Sequence, residues 1–255
     1  MPPLPPLTLN AWMRYDVIRR AFQVVPPGAS VLEVGAGLGA VGARLARRYD
    51  YLGLEPDPIS AAVARARIEA VGGRFCQCLS SDLDGQRFDV VCAFEVLEHL
   101  EDDAAVLREW VSHLAPGGWL ILSVPAFQHR FAAADHLAGH FRRYDPEVLR
   151  QRFTDAGLAD AQLWVTGFPF GLLLEHGRNL LAARHPKSGT LEARTLESGR
   201  WHQPSGALGW ATSAVTLPFR WMQRPFLRTR LGTGLVARAA RPDDRLGDSG
   251  TDAVA

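Results

Sequence analysis

The order of apolar strand-like segments and helical segments most restricts the fold of this chain. Four short apolar runs have the pattern of buried strands, at 31–34, 51–54, 88–94 and 119–124, and helical patterns separate them. Strands of a parallel sheet that is covered on both faces produce such runs, and each return to the sheet needs a crossover helix. The sequence therefore predicts an α/β fold with a doubly wound, mostly parallel sheet.

The rest of the chain is expected to divide around this core. We predict a proline-containing leader and a helix over 1–27, the α/β core over 28–166, a helical lid or insertion over 167–230, a last core strand over 231–240 and a disordered tail over 241–255.

Charge and leader composition restrict the partners. Lys and Arg number 28 against 27 Asp and Glu, so no basic excess indicates a nucleic-acid partner. The first residues, MPPLPPL, lack the basic stretch and apolar run of a signal peptide. We expect a cytoplasmic protein that acts on a small molecule.

A glycine-rich loop, GAGLG at 35–39, lies between the first predicted strand and a helix. Glycines let the backbone turn tightly and approach a ligand, and ligands of such sheets bind beyond the carboxyl ends of the strands. Gly35, Gly37 and Ala40 also fit the dinucleotide fingerprint, and Glu55 lies near the ~20-residue spacing of a ribose-binding acid. The loop alone therefore leaves NAD and S-adenosylmethionine (SAM) both open.

Glu33, at the end of the first strand, helps to separate the two ligands. A carboxylate there suits the ammonium group of the methionine end of SAM and would repel a pyrophosphate. This favours SAM over an NAD-dependent oxidoreductase. A SAM-binding module without catalysis is the non-enzymatic alternative, and it would leave the histidines of 125–144 without a role.

At this point the chain resembles the class I SAM-dependent methyltransferases, specifically those that act on small molecules. The resemblance implies a Rossmann-like, seven-stranded sheet whose last strand is antiparallel, with S-adenosylhomocysteine as the product of methyl transfer. It rests on VLEVGAGLG (31–39), YLGLEPD (51–57), FDVVCAFEVLEHL (88–100) and LAPGGWLILSVP (114–125). The cofactor residues that it implies are Glu33, Gly35, Ala36, Gly37, Gly39, Glu55, Pro56, Asp82, Phe94 and Glu95.

A narrower resemblance covers PAFQHRFAAADHLAGHFRRY at 125–144, a segment that is expected to close over the substrate. Its candidate substrate residues are Phe127, Arg142, Arg143 and Tyr144. For the two arginines, binding of an anionic substrate group and pairing with nearby carboxylates both stay open.

Methyl transfer to a hydroxyl needs an aligned acceptor and removal of its proton. The candidate bases are His99, His136 and His140, and an arrangement without a strong base is the alternative. We expect an oxygen of an apolar or aromatic metabolite as the acceptor, with N- or C-methylation as alternatives.

Glu95, Glu98 and His99 lie at the i, i+3 and i+4 spacing that shares one helix face. Together with His136 or His140 they have the ligand types of a divalent-metal site. Other methyltransferases with a similar Glu-His pair use no metal, so the sequence favours a metal-free enzyme over a metal-assisted O-methyltransferase.

Residues 206–230 combine an uncharged run with tryptophans, phenylalanines and arginines. The run falls short of the ~20 residues of a spanning helix, and Pro218 interrupts it. We expect a lid over the substrate or a homodimer contact, with peripheral contact to a membrane surface as the alternative.

Overall fold

A computed structural model describes residues 2–184 and 206–243, with the backbone alone at 206–210. Its strands are β1 Ser30–Val34, β2 Asp50–Leu54, β3 Arg74–Cys76, β4 Phe88–Phe94, β5 Leu114–Pro125, β6 Ala159–Thr166 and β7 Gly234–Ala240. Its α-helices are α1 Leu9–Ala21, α2 Gly42–Leu45, α3 Pro58–Glu69, α4 Asp103–Ser112, α5 Ala133–Ala138, α6 Pro146–Asp155, α7 Phe170–Arg184 and α8 Gly206–Met222.

The seven strands form one sheet in the order β3-β2-β1-β4-β5-β7-β6. Strands β1 to β5 pair in parallel, and β7 runs antiparallel between β5 and β6. This confirms the predicted sheet with an antiparallel last strand. It also differs from the dinucleotide-binding order 3-2-1-4-5-6, in which no strand is inserted between the fifth and the sixth.

Each central strand contributes to two apolar cores, one on either face of the sheet. In β1, Leu32 faces the core that includes Leu107 of α4 and Phe153 of α6. The neighbouring Val31 faces the core that includes Ile18 of α1 and Ile68 of α3. Alternate residues of a strand point to opposite faces, so burial of both explains the continuous apolar runs.

Aspartates begin two of the crossover helices. The Asp57 carboxylate accepts a hydrogen bond from the Ser60 N–H at 2.8 Å, and Pro58 holds the first helical position of α3. Asp102 caps α4 in the same way, accepting from the Ala105 N–H at 2.9 Å. These caps satisfy orphan N–H groups and end each connection close to the carboxyl edge of the sheet.

One predicted helix is shorter than expected. The pattern over 39–48 predicted a helix that starts at Gly39, whereas α2 covers Gly42–Leu45. Gly39 has a φ of 73°, a left-handed conformation that a right-handed helix excludes. The first residues of the predicted helix therefore belong to the glycine-rich turn that precedes α2.

The amino-terminal segment packs into the molecule. Leu7 is buried, and the Gln223 side-chain amide after α8 donates to the Met13 carbonyl at 2.9 Å. Arg238 of β7 donates to the Ala21 carbonyl at 3.0 Å. The proline-containing stretch is thus followed at once by residues that share the core.

The insertion between β6 and β7 contains α7 and α8. The loop predicted within it, 185–205, and the predicted tail beyond 243 lie outside the described residues. Within the described ranges, no helix is long and apolar enough to cross a membrane.

Candidate active site

The glycine loop follows β1 and turns at the carboxyl edge of the sheet. Gly35, Gly37 and Gly39 all have positive φ, at 70°, 55° and 73°. A Cβ at Gly39 would lie 2.9 Å from the Ala64 Cα, so this glycine lets the loop approach α3. A Cβ at Gly37 would meet no heavy atom within 4 Å among the described residues, which leaves room for a ligand at this point of the turn.

Glu33 lies beneath this loop and is 2% exposed. The Tyr51 hydroxyl donates a hydrogen bond to its Oε2 at 2.6 Å. Burial raises the pKa of Glu33 to about 8, although the Tyr51 hydrogen bond opposes the shift. The carboxyl therefore keeps its proton at neutral pH until a positive group approaches it.

Glu55 ties the end of β2 to the glycine loop. Its Oε2 accepts from the Gly37 N–H at 2.8 Å, and its Oε1 accepts from the Asp57 N–H at 3.0 Å. Pro56 is exposed beside it. Asp82, predicted to contact the adenine, lies in the turn after β3 and accepts from the Leu79 N–H at 2.9 Å. The predicted acids thus lie at the end of β1, directly after β2 and in the turn after β3, three strands that are neighbours in the sheet.

Glu95 follows β4, directly after the buried Phe94, and has a φ of 58°. Its Oε1 accepts from the Ser123 hydroxyl at 3.1 Å, and its Oε2 lies 3.0 Å from the Arg14 guanidinium of α1. No sequence motif indicates a site role for Arg14, because it is a single arginine in an otherwise ordinary helix. The contact places α1 beside the carboxyl ends of β4 and β5.

Two of the three candidate histidines lie together. The rings of His99 and His140 are 4.7 Å apart between centroids and nearly perpendicular. The His140 Nδ1 lies 2.9 Å from the Asp135 Oδ1, which orients the ring. His136 is exposed and contacts Phe131 instead, so the structure separates it from the pair.

Burial dominates the electrostatics of this cluster. It lowers the pKa of His99 to about 4, and the neighbouring His140 adds to the shift. Burial also raises the pKa of Glu98 well above its usual value, with a further contribution from Glu95. A His99 with so low a pKa is neutral at physiological pH and is a weak base.

The metal-ligand set differs from the one that the spacing suggested. Residues 97–99 form a short 3-10 turn, so Glu95 lies outside any helix that contains Glu98 and His99. Ligand atoms of Glu98, His99 and His140 lie within 4.8 Å of one another, whereas Glu95 pairs with Arg14. The cluster therefore keeps Glu98, His99 and His140 of the predicted set and leaves out Glu95 and His136.

Both predicted substrate arginines are paired with carboxylates. The Arg142 Nη1 lies 2.9 Å from the Asp103 Oδ2. Arg143 donates from Nε and Nη2 to the two oxygens of Asp135, at 2.8 and 2.7 Å, and from Nη1 to Glu175. The geometry thus agrees with the alternative interpretation, in which the arginines pair within the protein.

The predicted aromatic substrate residues are also interior. Phe127 and Tyr144 are each 1% exposed, and the Tyr144 hydroxyl donates to the Asp103 Oδ2 at 3.0 Å. Direct substrate contact by either side chain is not supported by this geometry. Both pack in the core on the α4 and α6 face of the sheet, where they anchor the 125–144 segment.

The sheet order and the edge residues together define the class I methyltransferases. An antiparallel β7 between β5 and β6, a glycine loop after β1 and an acid after β2 are combined in one molecule. A family model described as a methyltransferase domain matches residues 10–163, more than half of the chain. The chain therefore belongs to the methyltransferase domain family.

Curated relatives carry methyltransferase names. An uncharacterized methyltransferase of Mycobacterium sp. (strain JLS) is 33% identical over 136 residues, which are 52% of this chain and 53% of that protein. A ubiquinone biosynthesis O-methyltransferase of Xanthomonas campestris is 32% identical over 147 residues, or 53% of this chain and 61% of that protein. The chain thus spans between half and about three fifths of the length of these relatives.

Solved structures share the fold over most of this chain. An N-methyltransferase of Bradyrhizobium japonicum, in complex with S-adenosyl-L-homocysteine, has a TM-score of 0.56 at 16% identity and covers 90% of this chain and 86% of its own. The [4+2]-cyclase SpnF has a TM-score of 0.60 at 19% identity, with 91% and 81% covered. At these identities the likeness shows the fold alone.

Proposed function

We propose that this protein transfers the methyl group of SAM to an oxygen atom of a small, apolar or aromatic metabolite. The name of the Xanthomonas campestris relative, a ubiquinone biosynthesis O-methyltransferase, supports an oxygen acceptor. The near-neutral charge balance agrees with a small molecule rather than a nucleic acid as substrate.

The residues at the edge of the sheet fit SAM. Space beside Gly37 accommodates a ligand, and the acids Glu33 and Glu55 suit an ammonium group and two ribose hydroxyls. When bound, SAM supplies a methyl group on a sulfonium that is already a good leaving group. The protein's own task is then to align the acceptor and to let its proton leave.

The cluster of His99, His140 and Glu98 is the observation that carries the choice of oxygen. A hydroxyl must lose its proton to become a strong nucleophile, whereas a neutral amine already has a free electron pair. Glu98 and His99 lie three and four residues after Glu95, the predicted cofactor residue that follows β4, and His140 lies against them. Asp135 holds the His140 ring in place, as expected for a group that handles a proton.

Matched acceptors test this proposal. The purified protein is incubated with SAM and with phenols or amines on the same ring scaffold, while S-adenosylhomocysteine release and product mass are measured. We expect turnover of the phenols. His140→Gln should lower kcat by about 10²-fold or more with SAM affinity unchanged, since general acid-base contributions are typically of that size.

His129→Gln is the control, because this exposed histidine lies on the same segment after β5 and outside the cluster. Turnover of the amines alone would contradict the choice of oxygen. An unchanged kcat in His140→Gln would contradict the role of the cluster.

A further inference from the structure

The Glu98 carboxyl is an unusual feature of the interior. It is 0% exposed, and neither oxygen has a hydrogen-bond partner in another residue of the described chain. A buried carboxyl without partners is unfavourable, so such groups are normally paired with protein or ordered water, or bound to a metal. The Glu98 carboxylate is therefore a candidate ligand of a metal ion.

Two imidazoles face the same point. His99 Nδ1 is buried and likewise has no partner in the part of the chain that the structure describes. The Nδ1 of His140 is used by Asp135, which leaves Nε2 as the ring's remaining nitrogen. One donor atom from each of Glu98, His99 and His140 lies within 4.8 Å of the others.

The outer contacts of the His140 ring resemble those of a metal ligand. Asp135 receives the hydrogen bond of His140 and is itself held by two hydrogen bonds from Arg143. A ligating histidine usually gives its second ring nitrogen to a carboxylate or a backbone carbonyl, which sets the ring orientation and the tautomer.

We propose that Glu98, His99 and His140 bind one divalent transition-metal ion, and that Asp135 positions His140 for it. Two imidazoles and one carboxylate suit Zn²⁺, Mn²⁺, Fe²⁺ or Co²⁺. Three protein ligands leave coordination positions open, as in catalytic metal sites. Glu95 is excluded from the set because Arg14 and Ser123 already hold its two oxygens.

The use of this ion rests on the proposed function. A hydroxyl bound to a divalent metal loses its proton more readily, because the metal stabilises the oxyanion. The acceptor oxygen would occupy an open position on the ion, lose its proton to solvent and attack the methyl carbon as the carbon–sulfur bond breaks. His140 would then act as a ligand that supports deprotonation.

Metal binding is measured directly, without reference to activity. The full chain is freed of metal with a chelator, then titrated with Zn²⁺ by calorimetry and with Co²⁺ by visible absorption. We expect one ion per chain and the absorption bands of a protein-bound Co²⁺. Glu98→Gln and His140→Gln should each weaken the affinity at least 100-fold, and Asp135→Asn about 10- to 100-fold.

His129→Gln is the matched control and should leave the affinity unchanged, since it removes an exposed histidine outside the cluster. Circular dichroism of each variant shows whether it is folded. If a variant fails to fold, the Co²⁺ spectrum of the unaltered protein still tests metal binding. No stoichiometric binding, or equal affinity in the cluster variants and the control, would overturn the inference. Methyl transfer that persists in chelated, metal-free protein would overturn the metal's use and leave the proposed function standing.

Discussion

At the scale of single residues, the carboxyl of Glu33 links ligand binding to a proton. Its pKa of about 8 reflects burial first, so the ligand-free protein holds this proton at pH 6.5. An ammonium group beside it favours the charged form. We therefore expect SAM binding to release nearly one proton at pH 6.5, measured by calorimetry in two buffers with different ionisation enthalpies.

Glu33→Gln is the control for this effect and should release almost no proton when SAM binds.

The Glu33 carboxyl also affects the stability of the ligand-free protein, because its raised pKa favours the protonated, folded state. Its contribution is full below the unfolded value of about 4.5 and is lost as the pH rises towards 8. Equal proton release in both proteins would show that Glu33 does not face the ammonium group.

Gly37 and Gly39 allow the glycine loop to be dissected. Gly39→Ala should destabilise the protein by about 2 to 4 kcal/mol in urea unfolding, because the new Cβ meets the α3 backbone in a left-handed conformation. Gly37→Ala should cost only about 1 kcal/mol, since its Cβ meets open space.

Both variants should lose SAM affinity, Gly37→Ala because the methyl group projects into the ligand's space. Gly28→Ala is the control, since it shares the positive φ and the open surroundings outside the predicted site. Normal SAM binding by Gly37→Ala would show that the ligand does not approach this turn.

At the scale of elements, Arg143 joins the segment after β5 to the insertion. It bonds to Asp135 of α5 and to Glu175 of α7, and its side chain is 2% exposed. Arg143→Leu leaves two carboxylates without this partner and should cost about 3 to 5 kcal/mol of unfolding free energy. Arg142→Leu, whose side chain is 26% exposed, should cost about 1 kcal/mol or less in the same urea titration.

The pH dependence of this element follows from Asp135. Burial alone would raise its pKa, but the hydrogen bonds from His140 and Arg143 prevail and hold it well below its usual range. The stabilisation is therefore complete above about pH 4, the ordinary value for Asp, and is lost as the pH falls below it. Arg143→Leu should show a weaker loss of stability in acid, and an unchanged acid dependence would contradict the assignment.

The elements also show how far the sequence predicts the structure. Apolar runs predicted β1, β2, β4 and β5 because burial on both faces leaves a strong local signal. The later start of α2 was not predicted. It follows from the left-handed φ of Gly39 and from the close approach of this residue to α3, and no local sequence pattern records such a contact.

The site was predictable to the same extent. The glycines, Glu33 at the end of β1 and Glu55 after β2 lie within motifs, and the structure places them at one edge. The pairing of Arg143 with Glu175 joins residues 32 positions apart, and α7 itself has an ordinary apolar sequence. Such partners follow from tertiary packing alone. For this reason the sequence could not decide whether the arginines bind an anionic substrate group or pair with carboxylates of the protein.

At the scale of the whole molecule, α1, the sheet and α8 are joined across the full length of the chain. Gln223 bonds to both Met13 and the Gly167 N–H, and the Trp12 indole donates to Thr212 at 3.3 Å. Arg14 of the same α1 reaches the carboxyl end of β4. A ligand that binds at this edge should therefore stabilise the folded molecule as one unit.

S-adenosylhomocysteine at 100 times its Kd should raise the free energy of unfolding by about 2.7 kcal/mol, by mass action on the folded state. For a domain of this size that corresponds to a rise in Tm of about 5 to 10 °C in scanning calorimetry. NAD at the same concentration should produce no rise, because a pyrophosphate beside the glycine loop would lie against the buried carboxyl of Glu33, which offers it no positive charge. Glu55→Ala should abolish the rise, whereas Glu69→Ala, on the exposed face of α3, should keep it. A rise with NAD and none with S-adenosylhomocysteine would mean that the fold is correctly assigned and that its ligand is not.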